Sequence, residues 1–161
     1  MAKQQPIELF MPPNMLKAKI GGTNVGLDTS AIKRAEAAME TLKAEFGDWI
    51  NADVAYLGAS RDAYAANPGE TAHGGLYRAS HDLKGQALTF EHPIVARIAS
   101  PLCKLLDGPN GIAPLPLIDA HVNAIRVLVR QNVKNTADST TSAVASELEA
   151  RVTEILAAAA R

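Results

Sequence analysis

Apolar side chains recur at three- and four-residue spacings through most of this chain, the period of a helix with one buried face. The clearest stripe is Ile118, Val122, Ile125, Val129 and Val133, which predicts a helix from Pro116 to about Lys134. Leu76, Ala79, Leu83 and Phe90, with Ala87 at the edge, predict another from about Thr71 to Phe90, halted near His92-Pro93. Ile94 to Leu106 reads as a third, which Pro101 is expected to kink. Upstream, Asp28-Thr29-Ser30 supplies N-cap residue types for a helix ending at Phe46, before Gly47. A further helix fits Ile50 to Ala66 and is stopped by Asn67-Pro68-Gly69. After a polar stretch at 135–141, Val144, Leu148, Val152, Ile155 and Ala159 mark one face of a last helix. That helix is expected to pack on its own chain rather than on a second copy. No strand pattern competes, and no repeat of fixed period is present.

The predicted fold class is therefore all-α, an antiparallel bundle with short connections. Residues 6–29 stand apart: Pro6, Pro12, Pro13 and three glycines interrupt an apolar set that includes Ile7, Leu9, Phe10 and Met11. They are read as an irregular strap on the bundle. Composition agrees with helices, since 47% of residues are hydrophobic and only 4% aromatic, with Ala and Leu prominent. A formal net charge of −1 gives no bulk attraction to nucleic acid or anionic membrane, so any partner must recognise a local patch. Cys103 is the only cysteine, which rules out an internal disulfide, and it reads as a buried small hydrophobe. Met1 to Gln5 lacks the build of a signal peptide, and no apolar run approaches the ~20 residues of a membrane span. A soluble, cytoplasmic protein is expected.

Chemistry concentrates in Leu76 to Phe90. At ~100° per residue, His81 lies almost opposite the apolar stripe and faces out of the core on a well-anchored helix. Tyr77, Arg78, Lys84 and Gly85 share its face, with Leu88 one turn further on. A glycine inside a helix costs ~1 kcal/mol relative to alanine, so Gly85 beside His81 invites a functional explanation. Without a side chain it lets another protein's surface approach the imidazole. Free imidazole titrates near ~6.5, and its neutral form is a nucleophile. Phosphoryl transfer asks for in-line positioning and stabilisation of spread negative charge. His81 is accordingly read as the phosphoacceptor, with Lys84 stabilising phosphoryl charge and Arg78 a weaker candidate on the other flank. Gly85 provides access, and Tyr77 and Leu88 provide apolar docking surface. Gln86 falls toward the core edge and is read as a further docking residue.

These residues resemble the histidine phosphotransfer (HPt) family: His81-Asp82-Leu83-Lys84-Gly85 matches its His-x-Leu-Lys-Gly signature on a bundle helix. Leu102-Cys103-Lys104-Leu105-Leu106 looks like the family's following helix, and the resemblance covers roughly residues 30–134. It implies a four-helix bundle over 30–134, with the strap at 1–29 and a linker and extra C-terminal helix at 135–161. It also implies a phosphohistidine carrier, without kinase or ATPase activity of its own, in a two-component phosphorelay. The implied partners are response-regulator receiver domains and a hybrid sensor histidine kinase. No cofactor is implied for this chain, because the Mg²⁺ of these reactions belongs to the receiver. A monomer is expected, since the bundle can close on its own chain. Two features depart from the family: Gln86 stands where a small residue is frequent, and His92-Pro93 interrupts the helix where relatives run into a glycine-containing loop.

The remaining histidines have simpler readings. His73 lies in a glycine-rich helix start and is read as structural, His92 as a turn residue, and His121 as a hydrogen-bonded, half-buried side chain. They show no metal-ligand spacing, so no metal site is expected. Asp53 and Asp62 have no visible partners and read as solvated helix positions. Three competing functions differ in kind. A histidine-kinase dimerisation segment would carry an Arg-x-Pro element, where this chain has Leu83-Lys84-Gly85. A receiver- or kinase-binding helical module that accepts no phosphate would use the same surface. A scaffold dimerising through residues 143–160 would use only the last helix.

Overall fold

The structure is a computed structural model that describes residues 29–108, 113–134 and 138–160. The expected strap, apart from its last residue, and part of the 135–141 stretch lie outside the described residues. Every described element is a helix: α1 Thr29–Ala66, α2 Glu70–Gln86, α3 Pro93–Asp107, α4 Leu115–Arg130 and α5 Ser139–Ala159. The chain divides into two compact units, Met1–Glu40 and Thr41–Arg161. The described part of the first is the opening of α1, and everything below concerns the second.

α1 corrects one expectation, because it passes through Gly47 without a break. A glycine ends a helix only when it turns left-handed and closes a cap. Here no proline follows to force that turn, and Asn51 Nδ2 donates to the Gly47 carbonyl at 2.7 Å. The buried stripe of α1 then runs Ile50, Val54, Leu57. Asn67-Pro68-Gly69 stops α1 as expected, and α2 follows at Glu70.

Two other ends fall short of their predicted positions for a shared reason. Regular α2 stops at Gln86, and one further turn closes on itself. The His92 amide donates to the Ala87 carbonyl at 2.7 Å and the Glu91 amide to that of Leu88 at 3.1 Å. Glu91 takes the left-handed position, φ 62°. This double bond around a left-handed residue is the Schellman arrangement. α4 ends the same way at Arg130, with Asn132 at φ 51° and the Val133 amide on the Leu128 carbonyl. Asparagine tolerates that conformation, whereas glutamate is strained by it. Glu91 is held in place by Lys134 at 3.2 Å and, more loosely, Lys43 at 3.9 Å.

α3 is the core helix. It packs against α2, α4 and α5, and α4 also meets α5. Ile94, Ile98, Leu102, Leu105 and Leu106 are almost wholly removed from solvent, as are Leu76 and Leu83 of α2. Burying such a side chain contributes ~1.5–3 kcal/mol, so this seam supplies much of the stability. Pro101 is accommodated inside α3 and is itself buried. α1 joins through side chains at its middle and its C-terminal end: Phe46 and Trp49 meet Phe90 at 5.5 and 6.0 Å, and Tyr64 meets His73 at 6.0 Å. Between them Arg61 makes a two-pronged bond to Asp119 of α4 and also reaches Asp62 at 3.0 Å.

α5 packs on its own chain. Asp138 caps it, accepting from the Thr140 and Thr141 amides at 3.3 Å each. Its buried row is Thr141, Ala145, Leu148, Val152, so the expected stripe is corrected at Val144, which is 42% exposed. Ala159 is exposed as well. The small Ala145 at the seam permits a closer approach than Val144 would. Arg97 of α3 fixes the docking with two bonds to Glu149, at 2.8 and 3.0 Å, and others to Ser142 and Ser146.

Two histidines are buried, more completely than a half-exposed reading suggests. His121 is wholly enclosed, its Nδ1–H donating to the Leu117 carbonyl at 2.8 Å, and its Nε2 has no hydrogen-bond partner among the described residues. His92 sits at the N-cap of α3 with a buried, unpartnered Nδ1. Burial, the main cause, lowers the pKa of both. The unfolded chain therefore takes up these protons first as pH falls, and stability declines from about pH 6.5 downward until the folded-state values are reached. The expected loss is up to ~1.4 kcal/mol per pH unit for each histidine in that window. Urea unfolding at pH 7.5 and 5.5 checks this. His121→Gln is expected to flatten the dependence, and an unchanged slope would remove His121 as its source.

Candidate functional site

The candidate face lies on the outer side of α2. Leu76, Ala79 and Leu83 turn into the core, and the Ser80 hydroxyl donates to the Leu76 carbonyl at 2.8 Å, so the helix is anchored along its inner side. His81 projects outward with 55% of its side chain exposed. Tyr77, one turn earlier and half-buried, stacks on the imidazole with centroids 6.0 Å apart and planes inclined by 30°. The stacking restricts the ring without covering it. Asp82 Oδ1 stands 4.0 Å from His81 Nδ1, which leaves Nε2 as the outer nitrogen.

Lys84 is half-buried on the side toward α3, where its charge reaches Cys103. Burial nevertheless dominates at that cysteine and pushes the thiol up, consistent with its packing as a small core residue. Among the described residues no carboxylate pairs with Lys84, so its ammonium is available to an incoming anion. Arg78 is placed differently: its Nε donates to the Gly74 carbonyl at 3.3 Å, directing the guanidinium away from His81. Tyr77, His81, Lys84 and Gly85 are thus brought together, while Arg78 leans off.

Gly85 is exposed, and a methyl group built on it would meet nothing within 4 Å. Packing within this chain does not require a glycine there. Leu88 follows, 63% exposed, as a large apolar side chain in water. Gln86 corrects the expectation of a core-edge position, because it too is exposed. Leu76, Ala79 and Leu83 of α2 are buried, whereas Asp82 and Gln86 are exposed.

α1 adds residues to which the sequence reading gave no site role. Asp53 is half-buried, and its Oδ2 is enclosed without a hydrogen-bond partner among the described residues. Burial first, and the nearby charge of Asp82 second, push its carboxyl up. A simple solvated role for Asp53 is therefore corrected, and Asp53 lies within electrostatic reach of Asp82 on α2. Trp49 and Tyr56 flank Asp53 and are exposed. Their spacing, four and three residues from Asp53, was the available signal. Among the described residues no three His, Cys, Asp or Glu side chains converge as metal ligands. No described helix is long and apolar enough to cross a membrane.

The arrangement offers an imidazole nitrogen in solvent, a cation one turn away that no described carboxylate pairs, and an open approach beside the exposed Leu88. No family model matches the chain, and no curated protein or solved structure matches it.

Proposed function

We propose that the chain is a histidine-containing phosphotransfer protein with the four-helix arrangement of the HPt family, working in the cytoplasm with response-regulator receiver domains. The observation that carries the reading is an exposed His81 on a core-anchored helix, with Lys84 unpaired and Gly85 uncovered among the described residues beside it. His81 Nε2 attacks the phosphorus of a receiver's aspartyl phosphate. The N–P bond forms, the P–O bond to the carboxyl breaks, and the aspartate leaves as carboxylate. Asp82, near Nδ1, favours the positive charge that develops on the ring. The reverse reaction returns the phosphoryl group to a receiver, whose own Mg²⁺ serves both directions. No kinase step is assigned to this chain.

Lys84 balances charge on the equatorial phosphoryl oxygens without touching the bond being made. Lys84→Ala is therefore expected to slow transfer about 10- to 100-fold without abolishing it. Rapid-mixing measurement of label transfer from a phosphorylated receiver checks this, and an undiminished rate would remove Lys84 from the role. The reading as a whole is tested by offering the folded chain a panel of ³²P-phosphorylated receivers. Label moving onto it supports phosphate carriage. Failure with every receiver would leave a helical binding module.

A further inference from the structure

Gln86, read from the sequence as a docking residue, takes no part in the phosphoryl-transfer step itself. It is polar, exposed and placed where the HPt family often has a small side chain. No described side chain hydrogen-bonds its carboxamide. Asp82 lies four residues earlier and is also exposed, so the two occupy neighbouring positions on one strip of α2. Gly85 leaves the space beside them empty. Gln86 thus brings a group with two N–H donors and one carbonyl acceptor to the edge of the site. A carboxamide held beside a phosphoryl group can orient an attacking water, as in GTP hydrolysis. Asp82 supplies an acceptor for the proton of that water.

We propose that this face also hydrolyses the aspartyl phosphate of a docked receiver, with Gln86 orienting the water and Asp82 accepting its proton. The inference rests on the reading of this face as a receiver-docking site. The water oxygen bonds to phosphorus, and the P–O bond to the receiver's carboxyl breaks. Aspartate and inorganic phosphate are released, and the proton leaves through Asp82 to solvent. Water is the only co-reactant. The in-line position that His81 Nε2 takes in transfer is the one the water takes in hydrolysis, so the two reactions exclude each other in a single encounter.

The test separates them with His81→Ala, which removes the acceptor and puts no carboxamide in its place. The same panel of ³²P-phosphorylated receivers is mixed with wild type, His81→Ala and the double variant His81→Ala/Gln86→Ala, and both protein-bound label and inorganic phosphate are followed. His81→Ala is expected to shorten the lifetime of a receiver's phosphate about tenfold or more, and the double variant to return it to that of the receiver alone. The loss is expected in the rate at saturation rather than in the half-saturating concentration, which distinguishes water orientation from docking. Label on wild type with no acceleration by His81→Ala would overturn the hydrolysis and leave phosphate carriage standing. Acceleration by His81→Ala with no label on wild type would do the reverse. Equal acceleration by both variants would take Gln86 out of the reaction.

Discussion

His81→Gln is expected to abolish phosphate acceptance, a loss of at least ~1,000-fold, while the far-ultraviolet circular dichroism stays unchanged. Removing the nucleophile of a covalent step removes the step, and no neighbour replaces it. Tyr77 is stacked on the imidazole, Lys84 is a cation, and Cys103 is buried with its thiol pushed up. Of the other histidines, His92 and His121 are enclosed and His73 lies against Tyr64, two turns back on α2. The fold should not register the change, because the side chain faces water and α2 is held from its other side by Leu76, Ala79 and Leu83. Phosphate accepted at an undiminished rate by the variant would move the acceptor elsewhere.

The second large effect is expected at Gly85, where fold and function respond in opposite directions. Gly85→Ala removes the backbone entropy that a helical glycine loses on folding, and the added methyl meets nothing. A gain of about 0.5–1 kcal/mol in unfolding free energy is expected. Gly85→Tyr starts from the same open Cβ position, and its ring fills the space through which a receiver reaches the imidazole. Docking is expected to weaken about tenfold or more, equivalent to ~1.4 kcal/mol. Denaturant unfolding and a receiver-binding titration of both variants check the pair. An unaltered affinity in Gly85→Tyr would contradict the access argument, and a destabilised Gly85→Ala would mean that the glycine serves the fold.

The helical class and the face of His81 were legible in the sequence because both follow from a period of 3.6. Leu76, Ala79 and Leu83 must share a side, and His81 then lies opposite them. The ends of helices were less legible, since a stop depends on a residue turning left-handed. Gly47 looked like such a stop and is not one, whereas Glu91 is one despite carrying a side chain unsuited to it. The buried face of α5 was misread by one position because periodicity favours the larger Val144, while a close helix seam selects Ala145. Asp53 was opaque for another reason. Its carboxyl is pushed up first by burial and second by the charge of Asp82 on a different helix, both set by tertiary packing rather than by spacing along the chain. The same holds for Arg61 with Asp119, which are 58 residues apart.

The central claim is that His81 carries a phosphoryl group on nitrogen, and the chemistry of the bond tests it most directly. The wild-type chain is labelled from a ³²P-phosphorylated receiver, isolated, and divided between acid and alkali. Phosphohistidine is expected: label lost in acid, retained in base, and absent from His81→Gln. Label that survives acid, or that is equally present on the variant, would contradict the account.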